Sequence, residues 1–413
     1  MKVFLYNIFI LIYWVIAFLI SPISLKARAF VIGRLGFWKR LRVDFRRSET
    51  PLAWFHCASL GEFEQGKPLM EAFKAKNPNH KILVTFFSPS GFEQRKNYKG
   101  ADHVCYLPMD LPHYVNRFLN EVNPDIVFFV KYEFWYNYLH EINRRGIPLY
   151  NISGLFTPNH IFFKPYGGLH RKMLTFFNYF FVQNEASKTL LNEINISNVT
   201  VSGDSRFDRV QQTINSPNHY PLIEKFKGHS KIIVIGSCWP EDMDVLYDFI
   251  NSSSVDLKFI VAPHLVGESH VKMLEKRLEV DHVRITEAVT EELDTKKVMI
   301  IDTMGMLSSL YQYGEMAYIG GAFRDGVHNI LEAVAFGLPV VFGDKNLDKF
   351  PETEELMKLG GAFSISNKEQ ASNILSKLLK NELYLKAASE ICSNYIHDKA
   401  GATQIILDQL DQA

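Results

Sequence analysis

Cysteine is scarce in this chain of 413 residues: Cys57, Cys105, Cys238 and Cys392 are scattered and form no C-x-x-C pair. That excludes a disulfide framework and a sequence-coded zinc site, and reduced thiols are the simple reading. Net charge is missing too, since 45 Lys and Arg balance 45 Asp and Glu. No global basic field points to nucleic acid, and no acidic tract points to disorder. No G-x-G-x-x-G opens a helix after an apolar run, which argues against a dinucleotide oxidoreductase. No carboxylate pair reads as a D-x-D metal site and no histidine cluster stands out, so metal-independent chemistry without a cofactor is expected. Internal repeats and low-complexity tracts are absent.

A hydrophobic fraction of 47% over this length is enough for two domains with their own cores. Val3 to Ile20 is an almost unbroken apolar run, long enough to span or deeply enter a bilayer. Lys26, Arg28, Arg34, Lys39, Arg40, Arg42, Arg46 and Arg47 follow it, a cluster that suits anionic lipid head groups and, by the positive-inside rule, keeps the rest of the chain cytoplasmic. A cleaved signal peptide is the rival, but the n-region is only Lys2 and no small-x-small cleavage site follows. Residues 1–24 are therefore read as a retained membrane anchor at the inner membrane, with membrane lipids as partners.

From Leu52 onward, apolar strand-like runs alternate with helix-length segments, predicting parallel sheets covered by helices. The polar stretch from Ile214 to Ser230 reads as a linker. Two Rossmann-like halves result, 25–215 and 216–395, with 396–413 as a last helix that packs back on the first half.

The segment Met316–Gly343, MAYIGGAFRDGVHNILEAVAFGLPVVFG, reads as strand, glycine pair, helix (NILEAVAF, stopped by Gly337) and strand. Beyond the carboxyl end of such a strand a ligand can sit on the helix start. Gly320 and Gly321 would admit a close backbone approach, and Glu332 can accept from a ribose hydroxyl pair. The plainer alternative makes His328 and Asn329 loop-and-cap residues and Glu332 a complement to the helix dipole. Ser59-Leu60-Gly61-Glu62 presents a similar choice. S-x-x-E is a capping box, whereas an ionised carboxylate at a helix start also suits a general base.

The order GG, G-x-H-N-x-L-E, A-x-x-x-G-x-P-V in Met316–Gly343 resembles the donor-nucleotide segment of the Kdo transferases, GT-B glycosyltransferases that move 3-deoxy-D-manno-octulosonic acid (Kdo) from CMP-Kdo to lipid A precursor (lipid IVA). The resemblance runs from about Leu52 to Phe342 in some eight ordered motifs. WFHCASLGEFEQGKPL resembles the segment whose S-x-G-E supplies the catalytic glutamate, which implies Glu62 as base in an inverting transfer. Ser88–Gly91 resembles T-P-T-G, so Ser90 and Gly91 are implied at the acceptor. KYEFWYN resembles E-x-E-L-W-x-N, with Lys131 replacing the first acid and Glu133 retained. Lys164 and Arg171, around the segment IFFKPYGGLH, are read either as contacts to acceptor phosphates or as exposed surface basics. S-G-D-S-R-F-D resembles G-N-x-K-F-D, with Arg206 in place of a lysine. On the donor side the likeness implies Arg206, His264, Thr303, Met304, Gly305, Gly321, His328, Asn329 and Glu332, while Gly236 and Ser237 after the strand KIIVI are read either as contacts to phosphate or sugar or as an ordinary strand-end turn. Ala262-Pro263-His264 departs from the usual P-R-H, so the missing cation falls to Arg324 or Lys345. The rival classes are a GT-B enzyme of UDP-sugars, whether transferase or epimerase, and a tethered binding protein without catalysis.

Overall fold

The computed structural model describes residues 2–44, 50–254 and 256–412. Contacts divide it into two units, Met1–Arg209 with Ala400–Ala413, and Val210–Lys399. The first holds β1 (Leu52–Cys57), β2 (Lys81–Phe86), β3 (His103–Tyr106), β4 (Ile126–Val130), β5 (Leu149–Gly154), β6 (Tyr179–Val182) and β7 (Val199–Val201), in the order β3-β2-β1-β4-β5-β6-β7. The second holds β8 (Lys231–Cys238), β9 (Leu257–Pro263), β10 (His282–Arg284), β11 (Val298–Ile300), β12 (Met316–Ile319), β13 (Val340–Gly343) and β14 (Ala362–Ile365), ordered β10-β11-β9-β8-β12-β13-β14. Neighbouring strands pair in parallel throughout, as in βαβ crossover folds wound on both faces of a sheet.

The apolar runs follow from burial on both faces. Along β1, Leu52 and Trp54 enter one core while Ala53, Phe55 and Cys57 enter the other, so no position is left for a solvent-facing polar residue. The second core also takes Ile406 and Leu407 from the helix Ala402–Leu410. That helix is set apart from the preceding Glu382–Lys399 by Gly401 at φ 112°, so the last helix begins at Ala402 and not near residue 396.

Other elements differ in detail. The expected linker contains a helix, Pro221–Lys227, that buries Ile223 and Phe226. The helix expected over NILEAVAF is only Leu331–Ala335, although Gly337 does turn left-handed after it, at φ 71°. Within the basic cluster, Arg34 is not available to head groups. Its guanidinium donates to the carbonyls of Leu107, Phe30 and Phe87 and lies 3.9 Å over the Phe30 ring. Burial pulls its pKa down to about 10. Arg46, Arg47 and the side chains of Arg40 and Arg42 lie outside the described residues.

Each sheet reverses its strand order once, between β1 and β4 and between β8 and β12. At such a switch point the loops leave in opposite directions and open a crevice beyond the carboxyl ends of the strands.

Candidate active site

In the first unit the loops leaving β1 and β4 each carry a carboxylate. Ser59 precedes the helix Leu60–Lys76, and Oε2 of Glu62 accepts from the Ser59 amide at 3.0 Å and from the Ser59 hydroxyl. The capping reading therefore holds for one oxygen. Oε1 has no partner among the described residues, and the side chain is half-exposed. After β4, Lys131 turns the backbone left-handed at φ 64°, a costly conformation for a residue with a side chain. The chain then delivers Glu133, which accepts from Trp135 Nε1 at 2.7 Å and stands 3.3 Å from Nε2 of buried His56. Trp54 Nε1 donates to Thr85 Oγ1 at 2.8 Å, and the same oxygen stands 2.8 Å from His56 Nδ1, which fixes the ring with its Nε2 edge toward Glu133. Burial first, then the charges of Glu62 and Asp204, push the Tyr132 hydroxyl upward, which puts the two loops within electrostatic reach of each other.

The loop after β2 is layered on the Glu62 turn. Ser88 N donates to Ala58 O at 2.7 Å, and a Cβ on Gly91 would meet the Ser59 carbonyl carbon at 2.9 Å. Only glycine allows that approach. Ser90 is exposed, its Oγ 2.9 Å from that of Ser88. Arg171 is occupied inside its own loop, donating to the carbonyls of Phe162, Lys164 and Pro165, while Lys164 is half-exposed. Arg206 belongs to the first unit, not to the half that carries the other donor-side candidates, and pairs with Asp204 at 2.8 Å.

In the second unit the crevice at β8 and β12 is built on an aromatic cluster. Trp239, the residue after β8, stacks on His264 at 4.3 Å, and His264 stacks on His328 at 4.5 Å. Trp239 Nε1 donates to His328 Nε2 at 3.0 Å. Burial, then His264, holds His328 down to about 4, and burial, then Arg324, lowers His264, so both rings are neutral near pH 7. The Arg324 guanidinium lies 4.2 Å over Trp239 and 3.7 Å from Glu241. It thus reaches the cluster that contains His264. The Lys345 ammonium instead donates to the Phe323 carbonyl at 3.3 Å.

Several candidates have structural neighbours that the sequence does not reveal. A Cβ on Gly236 would meet the Tyr311 hydroxyl at 2.2 Å, and one on Gly320 would meet Ser237 O at 2.4 Å. What approaches Gly320 closely is therefore the β8 loop. Gly321 sits at φ 101° and Ser237 at φ 52°. Asn329 Oδ1 accepts from Leu331 N at 3.2 Å while its amide donates to half-exposed Glu332 at 3.1 Å, a local capping arrangement. Thr303 donates to Met306 Sδ, Met304 is exposed and Gly305 turns at φ 89° ahead of the short helix Leu307–Leu310.

Residues the sequence reading passed over organise both crevices. His56 and Trp135 brace Glu133. Asp242, fully buried, accepts from Trp239 N at 2.8 Å, Gly321 N at 2.9 Å and Tyr318 Oη at 2.9 Å, tying the two loops together. Burial raises its pKa against the pull of those three donors. Asp242-Met243-Asp244 does have D-x-D spacing, contrary to the reading above. Its two carboxylates are divided between that buried network and an ion pair of Asp244 with Arg277. No group of three or more His, Cys, Asp or Glu is placed to hold a metal among the described residues.

A sequence model of the family "3-Deoxy-D-manno-octulosonic-acid transferase (kdotransferase)" matches residues 32–209. The chain is similar to the 3-deoxy-D-manno-octulosonic acid transferase of Chlamydia trachomatis serovar D, 27% identical over 410 residues and covering 94% of this chain and 93% of that protein. It is similar to the Rickettsia bellii transferase as well, at 25% over 414 residues, 96% and 97% of the two chains. Residues 32–209 carry the Kdo-transferase family domain, and the chain is similar to Kdo transferases along nearly its whole length. It is accordingly a glycosyltransferase, and the match spans both units. Among solved structures, UDP-GlcNAc 2-epimerase from Neisseria meningitidis has a TM-score of 0.60 at 15% identity, covering 88% of this chain and 99% of that one. A Listeria monocytogenes protein described as a UDP-N-acetylglucosamine 2-epimerase scores 0.56 at 16%, covering 87% and 95%. At that identity the likeness shows the fold alone, which is GT-B.

Proposed function

We propose that this Kdo transferase moves Kdo from CMP-Kdo to a hydroxyl of lipid A precursor (lipid IVA), with Glu62 as general base. The supporting observation is the division of labour at Glu62. One oxygen is fixed by the Ser59 amide, which holds the carboxylate in place, while the other is open to take a proton. The acceptor hydroxyl oxygen attacks the anomeric carbon of Kdo as its proton passes to Glu62. The bond from that carbon to the CMP phosphate oxygen breaks, CMP leaves with the electron pair, and the anomeric configuration inverts. Glu133, held by Trp135 and His56, orients the acceptor together with Ser90, Gly91 and Lys164. Arg171 acts through the loop it ties.

On the donor side, the loops of Gly236–Ser237, Thr303–Gly305 and Gly321–Glu332 receive the nucleotide, and Arg324 supplies the cation absent beside His264. A guanidinium already near the cluster is suited to a phosphate. The apolar helix Lys2–Ile20, of hydropathy 2.5, has the length and composition to meet a membrane. We place the enzyme at the cytoplasmic face of the inner membrane, where a lipid acceptor is presented. The test is incubation of the purified full chain with CMP-Kdo and lipid IVA, followed by mass spectrometry of the lipid. Kdo-bearing products are expected. Turnover of UDP-sugars with no Kdo transfer would favour the epimerase-like alternative.

A further inference from the structure

The apolar helix Lys2–Ile20 does not stand clear of the first unit. Val3 and Tyr6 pack against its core, Ile10 is 3% exposed beside Phe30 and Met109, the Tyr13 ring stacks on Phe87 at 6.3 Å, and Ala17 continues the same stripe. Contacts three or four residues apart form one helical face, and here that face runs almost the full length. Polar contacts fix it: Tyr6 Oη donates to Asp110 at 2.6 Å and accepts from the Tyr136 amide at 3.2 Å, and Asn137 Nδ2 donates to Asn7 Oδ1 at 2.8 Å. The other face is bare, with Phe4 and Leu19 each 67% exposed and Phe9 64%. A helix clasped along its length by a folded domain offers lipid one side only, which is the geometry of an interfacial helix rather than a free-standing span.

Where this helix meets Leu25–Ile32 and the end of β2, a groove of about 440 Å³ opens. Ile16, Ala17 and Ile20 line it from the first helix, Ala27 and Phe30 from the second, and Phe87 from the strand end. Its polar lining includes Ser24, Lys26 and Ser88. Ser88 begins the Ser88–Gly91 segment, whose Gly91 lies against the Ser59 turn that carries Glu62. The groove thus borders both the lipid-facing helix and the segment that packs on the Glu62 turn.

We infer that this groove seats an acyl chain of the lipid acceptor, so that the N-terminal helix is a wall of the acceptor site as well as an anchor. The inference rests on the acceptor reading above. Apolar walls and a volume within the roughly 300–1,000 Å³ of ordinary ligand sites suit a hydrocarbon chain. The exposed Lys26 ammonium beside it complements an acceptor phosphate. The bare face of the same helix brings the opening to the bilayer surface, where an acyl chain is at hand.

The experiment uses the full chain in detergent micelles with CMP-Kdo and two acceptors, tetraacylated lipid IVA and its fully deacylated disaccharide bisphosphate. Ala27→Trp and Ala17→Trp fill the groove, and Val15→Trp on the bare face is the control. The filling variants are expected to raise KM for the acylated acceptor at least about tenfold, the discrimination that one or more methylenes give in an apolar pocket. Activity on the deacylated acceptor is expected to stay at the wild-type value, which also shows that the variants fold. An unchanged KM, or equal losses on both acceptors, would overturn the groove. A diazirine-bearing acyl chain on the acceptor is expected to cross-link to the 16–30 segment of the wild-type chain. Equal cross-linking by phosphatidylethanolamine carrying the same diazirine would overturn the assignment. Cross-linking without any Kdo transfer would keep the groove and remove the transferase reading.

Discussion

Glu62 and Asp110 are both carboxylates fixed by main-chain amides, yet burial gives them different tasks. Glu62 keeps one oxygen open at a half-exposed helix start. Asp110 is 2% exposed and accepts from Tyr6 Oη and from the amides of Asn137 and Tyr138. Desolvation outweighs those donors and raises its pKa from 3.8 to about 6. Below about pH 4 the group is protonated in folded and unfolded chains alike. As pH rises through 6, the folded state must accept a charge that burial opposes, so the contribution of Asp110 to stability is lost over that window. The shift corresponds to on the order of 2–3 kcal/mol. Thermal melts should therefore show wild type losing stability relative to Asp110→Asn between about pH 4 and pH 6.5, and a constant difference across that range would contradict the assignment. Residues of this kind are hard to read from sequence because their partners are distant. Tyr6 and Asp110 are 104 positions apart, and Asp242 and Tyr318 are 76 apart. Glu62 and Glu133 are legible only because each stands in a short motif at the end of an apolar run.

Among the elements, central strands are readable because both faces are buried and most positions are apolar. The edge strands β10 and β14 carry no such pattern. His282–Arg284 has three residues, two of them charged or polar, and β14 includes Ser364, since an edge needs no continuous apolar pattern. The final helix shows how a motif residue can serve architecture. Asp208, the last residue of the S-G-D-S-R-F-D segment, accepts from Thr403 N and Thr403 Oγ1, each at 2.6 Å, and from Gly401 N. It anchors the start of Ala402–Leu410, whose Ile406 and Leu407 complete a core of the first unit. Asp208→Ala should destabilise that unit by about 1–3 kcal/mol through unsatisfied donors. Hydrogen exchange in residues 402–410 should accelerate, and unchanged protection would show that the helix is held without this carboxylate.

For the chain taken as a single molecule, the order of two parallel α/β units was legible from alternating strand-like and helical runs, and the apolar N-terminus from its composition. How that helix is used was not. A stretch that is apolar on every side reads as a span, whereas in the fold Tyr6, Asn7 and Ile10 bind it to the folded body. The bare face should govern membrane binding. Replacing Phe9, Ile12 and Leu19 with Ser removes about 1.5–3 kcal/mol of burial per side chain at a lipid surface. In vesicle flotation the triple variant should partition to the aqueous fraction while its activity on a deacylated acceptor persists. Flotation equal to wild type would place the lipid contact elsewhere.

Catalysis by Glu62 is most directly probed by single-turnover transfer of Kdo from CMP-Kdo to lipid IVA, comparing wild type with Glu62→Gln at matched CMP-Kdo binding. Loss of the general base should slow transfer by about 100- to 10,000-fold, with both proteins folded and donor-bound. Transfer by Glu62→Gln at the wild-type rate would leave that carboxylate as a helix cap and nothing more.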